Sequence, residues 1–123
     1  MDWKHLLRWS VVASLIGSSA VADDAAGRAG DAARGETLFK QYCGTCHGAD
    51  ARGVPHLGKD LTASKFAGDM SDAQLLEFIR KGRPANDALN TTGIPMPPSA
   101  GNPSLTDDQI HDIITYLRSI QKK

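Results

Sequence analysis

The sequence has no excess of either charge, few aromatic side chains and no apolar run long enough to span a membrane. Its 123 residues include 14 basic and 14 acidic side chains, so its charge gives no reason to expect binding to nucleic acid. The apolar run at residues 9–16 is far shorter than the roughly 20 residues that a helix needs to cross a bilayer. We therefore predict neither a nucleic-acid partner nor stable membrane insertion.

That short apolar run fits a cleavable leader. Basic residues precede it, and small residues follow it up to Ala22, which is the three-part layout of a secretory signal peptide. We predict a signal peptide over residues 1–22, cleaved near Ala22, that sends the chain to the periplasm. A flexible tail at 23–30 and a single domain at 31–123 follow. Without its leader the chain has 12 basic and 13 acidic side chains, and we expect it to be a monomer.

Aromatic side chains are scarce in the predicted domain. Both tryptophans lie in the leader, so three Phe and two Tyr residues remain. A domain of about 100 residues buries only around 60 to 70% of the surface of its unfolded chain. We therefore expect a large apolar cofactor to supply part of the core.

Apolar spacing predicts an all-α fold of three to four helices joined by long loops. The first helix begins at Asp31, a residue type that caps helices. Gly35, Leu38, Phe39 and Tyr42 follow at spacings of three and four, which places them on one helical face. This helix leads directly to the first of the two cysteines.

Two later helices begin at capping boxes, Ser-x-x-Gln at 71–74 and Thr-x-x-Gln at 106–109. Their apolar stripes are Leu75, Phe78 and Ile79 in the first and Ile110, Ile113, Ile114, Leu117 and Ile120 in the second. The segment 48–68 is predicted to be a loop with at most a short turn. The loop at 83–104 contains five prolines, which predict a stiff, non-helical segment.

Cys43, Cys46 and His47 form a Cys-x-x-Cys-His motif. Two thiols at this spacing can each add to one vinyl group of haem, and the adjacent histidine is then held against the iron. A thioredoxin-like dithiol would be expected after a strand, and no strand is predicted. A zinc site would need further ligands, for which the domain offers only His56 and His111. We therefore predict one covalently bound haem c.

The order of these parts is typical of one family. A helix with Gly35 and Phe39 precedes the motif, a middle helix and a Pro-flanked methionine at 94–98 follow it, and the last helix carries Tyr116. In this order, residues 31–120 resemble the class I cytochromes c. The resemblance implies the cytochrome c fold, with the first helix packed on the last through Gly35, Phe39 and Tyr116.

The sixth iron ligand has three candidates. Met96 lies between prolines in a stiff loop, which could aim its thioether at low entropic cost. Met70 precedes the capping residue Ser71, where a packing role is expected. His56 lies only nine residues after His47, too near to reach the opposite face of the ring easily. We predict His47 and Met96 as the axial ligands.

The resemblance also implies groups around the cofactor. The backbone carbonyl of Pro55 would accept a hydrogen bond from the non-ligating nitrogen of His47. Lys59, Arg83, Asn90 and Thr91 flank the loops that wrap the haem, so they are candidates for binding its propionates.

These features predict an electron carrier and not an enzyme. A six-coordinate iron has no open position for a substrate, and a methionine ligand favours Fe(II). We expect single electrons to pass from a dehydrogenase or membrane redox complex to a terminal oxidase or reductase. The partners would dock at the exposed haem edge, where basic residues cluster: Arg52, Lys59, Lys65, Arg80, Lys81 and Arg83. The alternatives are a haem enzyme or gas sensor with an open sixth position, and a non-haem thiol-disulfide protein.

Overall fold

The computed structural model describes residues 29–122. The predicted signal peptide and most of the predicted tail lie outside these residues. None of the helices in this part of the chain is both long and apolar enough to cross a membrane.

The fold of residues 29–122 is all-α and contains no strand. Its elements in chain order are α1 (Ala32–Tyr42), α2 (Gly44–His47), α3 (Lys65–Asp69), α4 (Asp72–Lys81), a 3-10 turn (Pro98–Gly101) and α5 (Asp107–Ile120). The three long helices begin where the sequence predicts them. Asp31 accepts a hydrogen bond from the Arg34 amide, and both predicted capping boxes form, at Ser71 and Thr106.

Helices α1 and α5 pack closely because Gly35 has no side chain. A Cβ atom on Gly35 would lie 1.9 Å from the backbone oxygen of Asp112, a distance that no side chain tolerates. Beside this contact, the rings of Phe39 and Tyr116 pack at 5.5 Å between centroids, tilted by 53°. The packing that the resemblance implied is therefore confirmed.

A buried carboxylate joins the same two helices. The Asp112 side chain has no solvent exposure. It accepts hydrogen bonds from the Asp31 amide (2.8 Å) and from Nε of Arg34 (2.5 Å). A buried charge is tolerated when it is paired and hydrogen-bonded, so this group ties the start of α1 to α5.

The rest of the core comes from the predicted apolar stripes. Among the members of these stripes, Leu75 and Ile79 in α4 and Ile110, Ile113, Ile114 and Leu117 in α5 are buried. Phe78 and Ile120 are partly buried against this core. The three long helices thus enclose one apolar core on the side of α5 that faces α1 and α4.

The structure corrects the predicted number of helices. Five α-helices are present in residues 29–122, because two short ones, α2 and α3, add to the three long ones. Helix α3 begins within the segment predicted as a loop, where Ser64 accepts a hydrogen bond from the Ala67 amide. A five-residue helix is too short for apolar spacing to reveal, so only its cap could have indicated it.

Candidate functional site

A cavity of about 370 Å³ opens between the long helices and the two loops. Phe39, Leu75, Ile79, Ile113 and Leu117 from the helical core form its floor. The walls from the loops and α3 are largely apolar as well, and they include Leu57, Leu61, Phe66, Ile94, Pro95 and Pro97. Ligand sites are commonly apolar cavities of 300 to 1,000 Å³ with a few polar groups, and this cavity is of that kind.

Cys43 and Cys46 lie at this cavity because α1 ends and α2 begins between them. The Cys43 amide donates to the Phe39 carbonyl (2.8 Å), which closes α1, and the His47 amide donates to the Cys43 carbonyl (3.0 Å). Both cysteines are free and both line the cavity. Burial, with a smaller contribution from Cys46, raises the pKa of the Cys43 thiol to about 12.

The His47 ring is oriented by a backbone carbonyl. Its Nδ1 lies 2.9 Å from the Lys59 oxygen, so this nitrogen can donate a hydrogen bond and Nε2 stays available on the other side of the ring. The prediction that Pro55 provides this carbonyl is wrong, and Pro55 does not line the cavity. Val54 and Gly58 bridge across a tight turn there, and the chain reaches His47 four residues later than predicted, at Lys59.

Met96 lines the same cavity and is held by its backbone. Its amide donates to the Arg83 oxygen (2.8 Å), and its own oxygen accepts from the Arg83 amide (2.9 Å). This two-bond bridge needs Gly82, which has φ +71° and ψ −168°, a conformation open essentially to glycine alone. A Cβ on Gly82 would lie 2.3 Å from the Met96 oxygen.

The two other candidates for the sixth ligand lie elsewhere. Met70 is partly buried against the helical core and does not line the cavity. Its backbone oxygen accepts a hydrogen bond from Nη2 of Arg118 (2.6 Å). His56 is exposed at the tight turn between Val54 and Gly58, with φ +65°, and also lies outside the cavity lining. Of the three candidates, the structure brings only Met96 to the cysteines and His47.

The four polar residues predicted beside the cofactor all line the cavity. Nζ of Lys59 donates to the Leu89 oxygen (2.9 Å). The Arg83 guanidinium lies over the rings of Phe66 and Phe78, at 4.7 and 4.9 Å from their centroids. Asn90 holds its own loop, since its amide donates to the Ile94 oxygen (2.8 Å) and accepts from the Gly93 amide (2.8 Å).

Thr91 is exposed at the rim, and Asn90 and Arg83 are already engaged within the loop wall. The Arg83 side chain is only 11% exposed and lies 3.7 Å from the Asp87 carboxylate. Arg83 therefore belongs to the wall of the cavity and not to an exposed basic cluster.

The sequence interpretation missed most of the loop wall. Leu57, Phe66 and Ile94 remain 39 to 43% exposed although they line the cavity. They belong to none of the predicted helical stripes, and large apolar residues in loops rich in Gly and Pro were the signal that could have identified them. Gly82 ends α4, as glycine often does, and its lack of a side chain also lets the Met96 backbone approach.

The fold and the site together define a class of protein. Two free thiols one helical turn apart, a histidine beside them with one nitrogen oriented, and a methionine in the same apolar cavity fit a large, flat, covalently attached haem. The class is therefore that of small c-type haem proteins.

The comparisons with known proteins identify the family. The cytochrome c family model matches residues 32–121. Cytochrome c-555 of Prosthecochloris aestuarii is 33% identical over 89 residues, which cover 71% of this chain and 85% of that protein. Cytochrome c-555 of Chlorobaculum tepidum is 31% identical over 108 residues, covering 87% and 92%. The chain belongs to the cytochrome c family, carries one covalently bound haem c and has the role of a haem electron carrier.

A solved structure supports the same fold. Cytochrome cL from Methylophaga aminisulfidivorans is similar to this chain with a TM-score of 0.56 and 28% sequence identity. The match covers 82% of this chain but only 56% of that protein, so this chain spans little more than half its length.

Proposed function

We propose that this protein is a periplasmic shuttle for single electrons, with its haem attached through Cys43 and Cys46 and its iron ligated by His47 and Met96. The observation that carries the proposal is the convergence of these four side chains on one apolar cavity. The haem supplies a one-electron change of iron oxidation state. With both axial positions filled, that change needs no bond to form or break and leaves no place for a substrate.

The residues of the chain have separate parts in this proposal. The Lys59 carbonyl accepts a hydrogen bond from Nδ1 of His47, which orients the ring and raises the basicity of Nε2. The bridge to Arg83 holds Met96 on the facing wall. The apolar floor excludes water, and a dry environment limits the reorganisation that accompanies a change of charge. Lys59, Arg83, Asn90 and Thr91 stay candidates for the propionates, and the Arg83 side chain is only 11% exposed.

The thiol-disulfide alternative is disfavoured by the state of the thiols. Attack on a disulfide requires a thiolate, and proteins that carry out this chemistry lower the pKa of the attacking cysteine. Burial at this site raises the pKa of Cys43 to about 12 instead. Burial thus disfavours the Cys43 thiolate that this chemistry needs.

The shuttle would exchange electrons with protein partners at the mouth of the cavity. Leu57, Phe66, Leu89 and Ile94 are exposed, and three of them line the cavity. An apolar patch of this small size suits complexes that form and separate quickly. The periplasmic location and the donor and acceptor classes are inferred from the predicted signal peptide and from the haem chemistry.

The experiment that tests the ligand assignment compares Met96→Ala with Met70→Ala in purified holoprotein. We expect Met96→Ala to retain the haem, lose the methionine-to-iron charge-transfer band and lower the reduction potential, because a soft ligand that favours Fe(II) is removed. Met70→Ala should keep both spectrum and potential and reduce only stability, by about 1 to 2 kcal/mol because Met70 is partly buried. An unchanged charge-transfer band in Met96→Ala would make Met70 the sixth ligand, whereas a high-spin spectrum without this band in the parent protein would support the open-site alternatives.

A further inference from the structure

Arg80 connects three elements around the loop that carries Met96. Its Nε and Nη2 both donate to one carboxylate oxygen of Asp107, at 2.9 and 2.5 Å, at the start of α5. Its Nη1 donates to the Ser99 hydroxyl at 3.1 Å. One guanidinium on the last turn of α4 thus holds both the 3-10 turn and the first turn of α5.

Ser99 is an unusual anchor. Only 7% of it is exposed, and both Ser99 and Ala100 have left-handed backbone conformations, with φ of 52° and 54°. Residues other than glycine adopt this conformation at a cost of about 1 kcal/mol or more, and they persist there when surrounding contacts enforce it. Ser99 follows Met96 by three residues, with two prolines between them.

The segment after Met96 depends on this anchor. Its backbone hydrogen bonds are local, from Ala100 to Pro97, from Asn102 to Ser99 and from Leu105 to Asn102. The bridge to Arg83 fixes Met96 on its N-terminal side. On the C-terminal side, the Arg80–Ser99 hydrogen bond ties the segment to α4.

We propose that Arg80 is a positioning residue for Met96, acting through Ser99 and Asp107, and that it sets how often the methionine leaves the iron. This inference rests on the proposed axial ligation by Met96. Two prolines help to transmit the constraint, because the fixed φ angles of residues 97 and 98 limit movement between Ser99 and Met96. Loss of the anchor frees the C-terminal half of the loop while the Arg83 bridge and the helical core stay in place.

The test measures the rate at which cyanide binds to ferric holoprotein, since an external ligand enters only after methionine has left. We expect Arg80→Gln to raise this rate about tenfold, the change that loss of one charge-assisted hydrogen bond implies. The charge-transfer band should remain but weaken on mild warming sooner than in the parent. Ser99→Ala should give a smaller increase in the same direction, and Arg80→Lys should fall between, because one ammonium cannot replace the planar fork of donors.

The matched control is Arg118→Gln. Arg118 also lies on the rim of the helical core, with a side chain 25% exposed against 29% for Arg80, and it also bonds several elements. Its partners are Asp72, Gln121 and the Ala67 and Met70 oxygens, none of which belongs to the Met96 loop. We expect it to lower global stability without changing the cyanide rate.

The possible outcomes separate this inference from the proposed function. Equal cyanide rates in Arg80→Gln and the parent, or equal increases in Arg80→Gln and Arg118→Gln, would overturn the role of Arg80 while Met96→Ala still removes the band. Retention of the band in Met96→Ala would overturn the ligand assignment, and the inference with it.

Discussion

The helix crossing and the loop side of this molecule are built in different ways. The crossing of α1 and α5 is closed by side chains without solvent exposure, with Phe39, Ile110 and Ile114 at 0%. The loop side, residues 48–64 and 82–106, is held instead by backbone hydrogen bonds, and nine of its residues, including Gly82 and Ser99, have positive φ angles. Two of its large apolar side chains at the cavity, Leu57 and Ile94, remain 39% and 43% exposed.

The difference indicates what each side requires. The crossing buries its own apolar surface, which favours folding from the chain alone. On the loop side, backbone hydrogen bonds fix the conformation, and several apolar side chains face the cavity. The burial of these side chains therefore depends on the haem. We therefore regard the helix crossing as the stable platform and the loop side as the half that the cofactor completes.

Loss of haem attachment is expected to have the largest effect on the difference between the two sides. Replacing Cys43, Cys46 or His47 by Ala should prevent accumulation of stable holoprotein, because the loop side then has nothing to pack on. The absorbance of haem and the circular dichroism of helices in the purified protein measure this. Apoprotein with a cooperative melt and full helical content would show that the helix crossing suffices for the whole fold.

Adding a methyl group at the crossing of α1 and α5 is expected to have the next largest effect, on the stability of the fold. Gly35→Ala would place a Cβ 1.9 Å from the Asp112 oxygen, and forcing the helices apart should cost about 3 kcal/mol in the free energy of unfolding. Gly68→Ala is the control, because a Cβ there, in α3, has nothing within 4 Å. That substitution should be neutral or should stabilise by up to about 1 kcal/mol. Denaturant unfolding of the two holoproteins measures this difference. Equal unfolding midpoints for Gly35→Ala and Gly68→Ala would show that the close approach of α1 and α5 does not limit the residue at position 35.

The two sides also differ in how far the sequence predicts them. Helix periodicity and capping boxes act within a few residues, so the starts at Asp31, Ser71 and Thr106 could be predicted from local patterns. The Cys-x-x-Cys-His motif is likewise local. The Lys59 carbonyl beside His47 and the Arg83 bridge to Met96 join residues 12 and 13 positions apart through loop conformations. No periodic signal encodes such contacts, so the carbonyl beside His47 was predicted from the family resemblance, which implied Pro55 where the structure has Lys59.

A methyl group on the loop side should affect the iron more than the fold. Gly82→Ala would bring a Cβ to 2.3 Å from the Met96 oxygen and should weaken the methionine-to-iron charge-transfer band. Gly93→Ala is the matched control. Gly93 has nearly the same φ, +73° against +71°, but a Cβ there has nothing within 4 Å, so it shares the positive φ without the contact. The same loss of band in both variants would attribute the effect to strain alone.

The smallest expected effect concerns the exposed charges around the cavity mouth. Several side chains of the predicted basic cluster have partners within the protein. Lys65 pairs with Asp69 (2.7 Å), Arg80 pairs with Asp107, and Arg83 lies in the cavity wall. Lys81 is exposed on α4. With most of these charges engaged and a net charge near −1 if the predicted signal peptide is removed, the protein should show only weak long-range steering. We expect electron transfer to its partner to change less than about tenfold between low and physiological salt.

Lys81→Glu tests whether any basic residue of this face docks the partner, and Lys122→Glu is its control. Both substitutions change the net charge by the same amount, but Lys122 lies beside Thr62 in a surface groove with Glu36 and does not line the cavity. If the face docks, Lys81→Glu should slow transfer by about two- to fivefold, as loss of a rim charge does, with the spectrum and potential unchanged. Equal rates in the two variants, or a steep salt dependence in the parent, would move the docking surface away from α4. Arg83 is unsuitable for this test because its reversal would disturb the cavity wall that packs against the cofactor, and a slower rate could then arise from either cause.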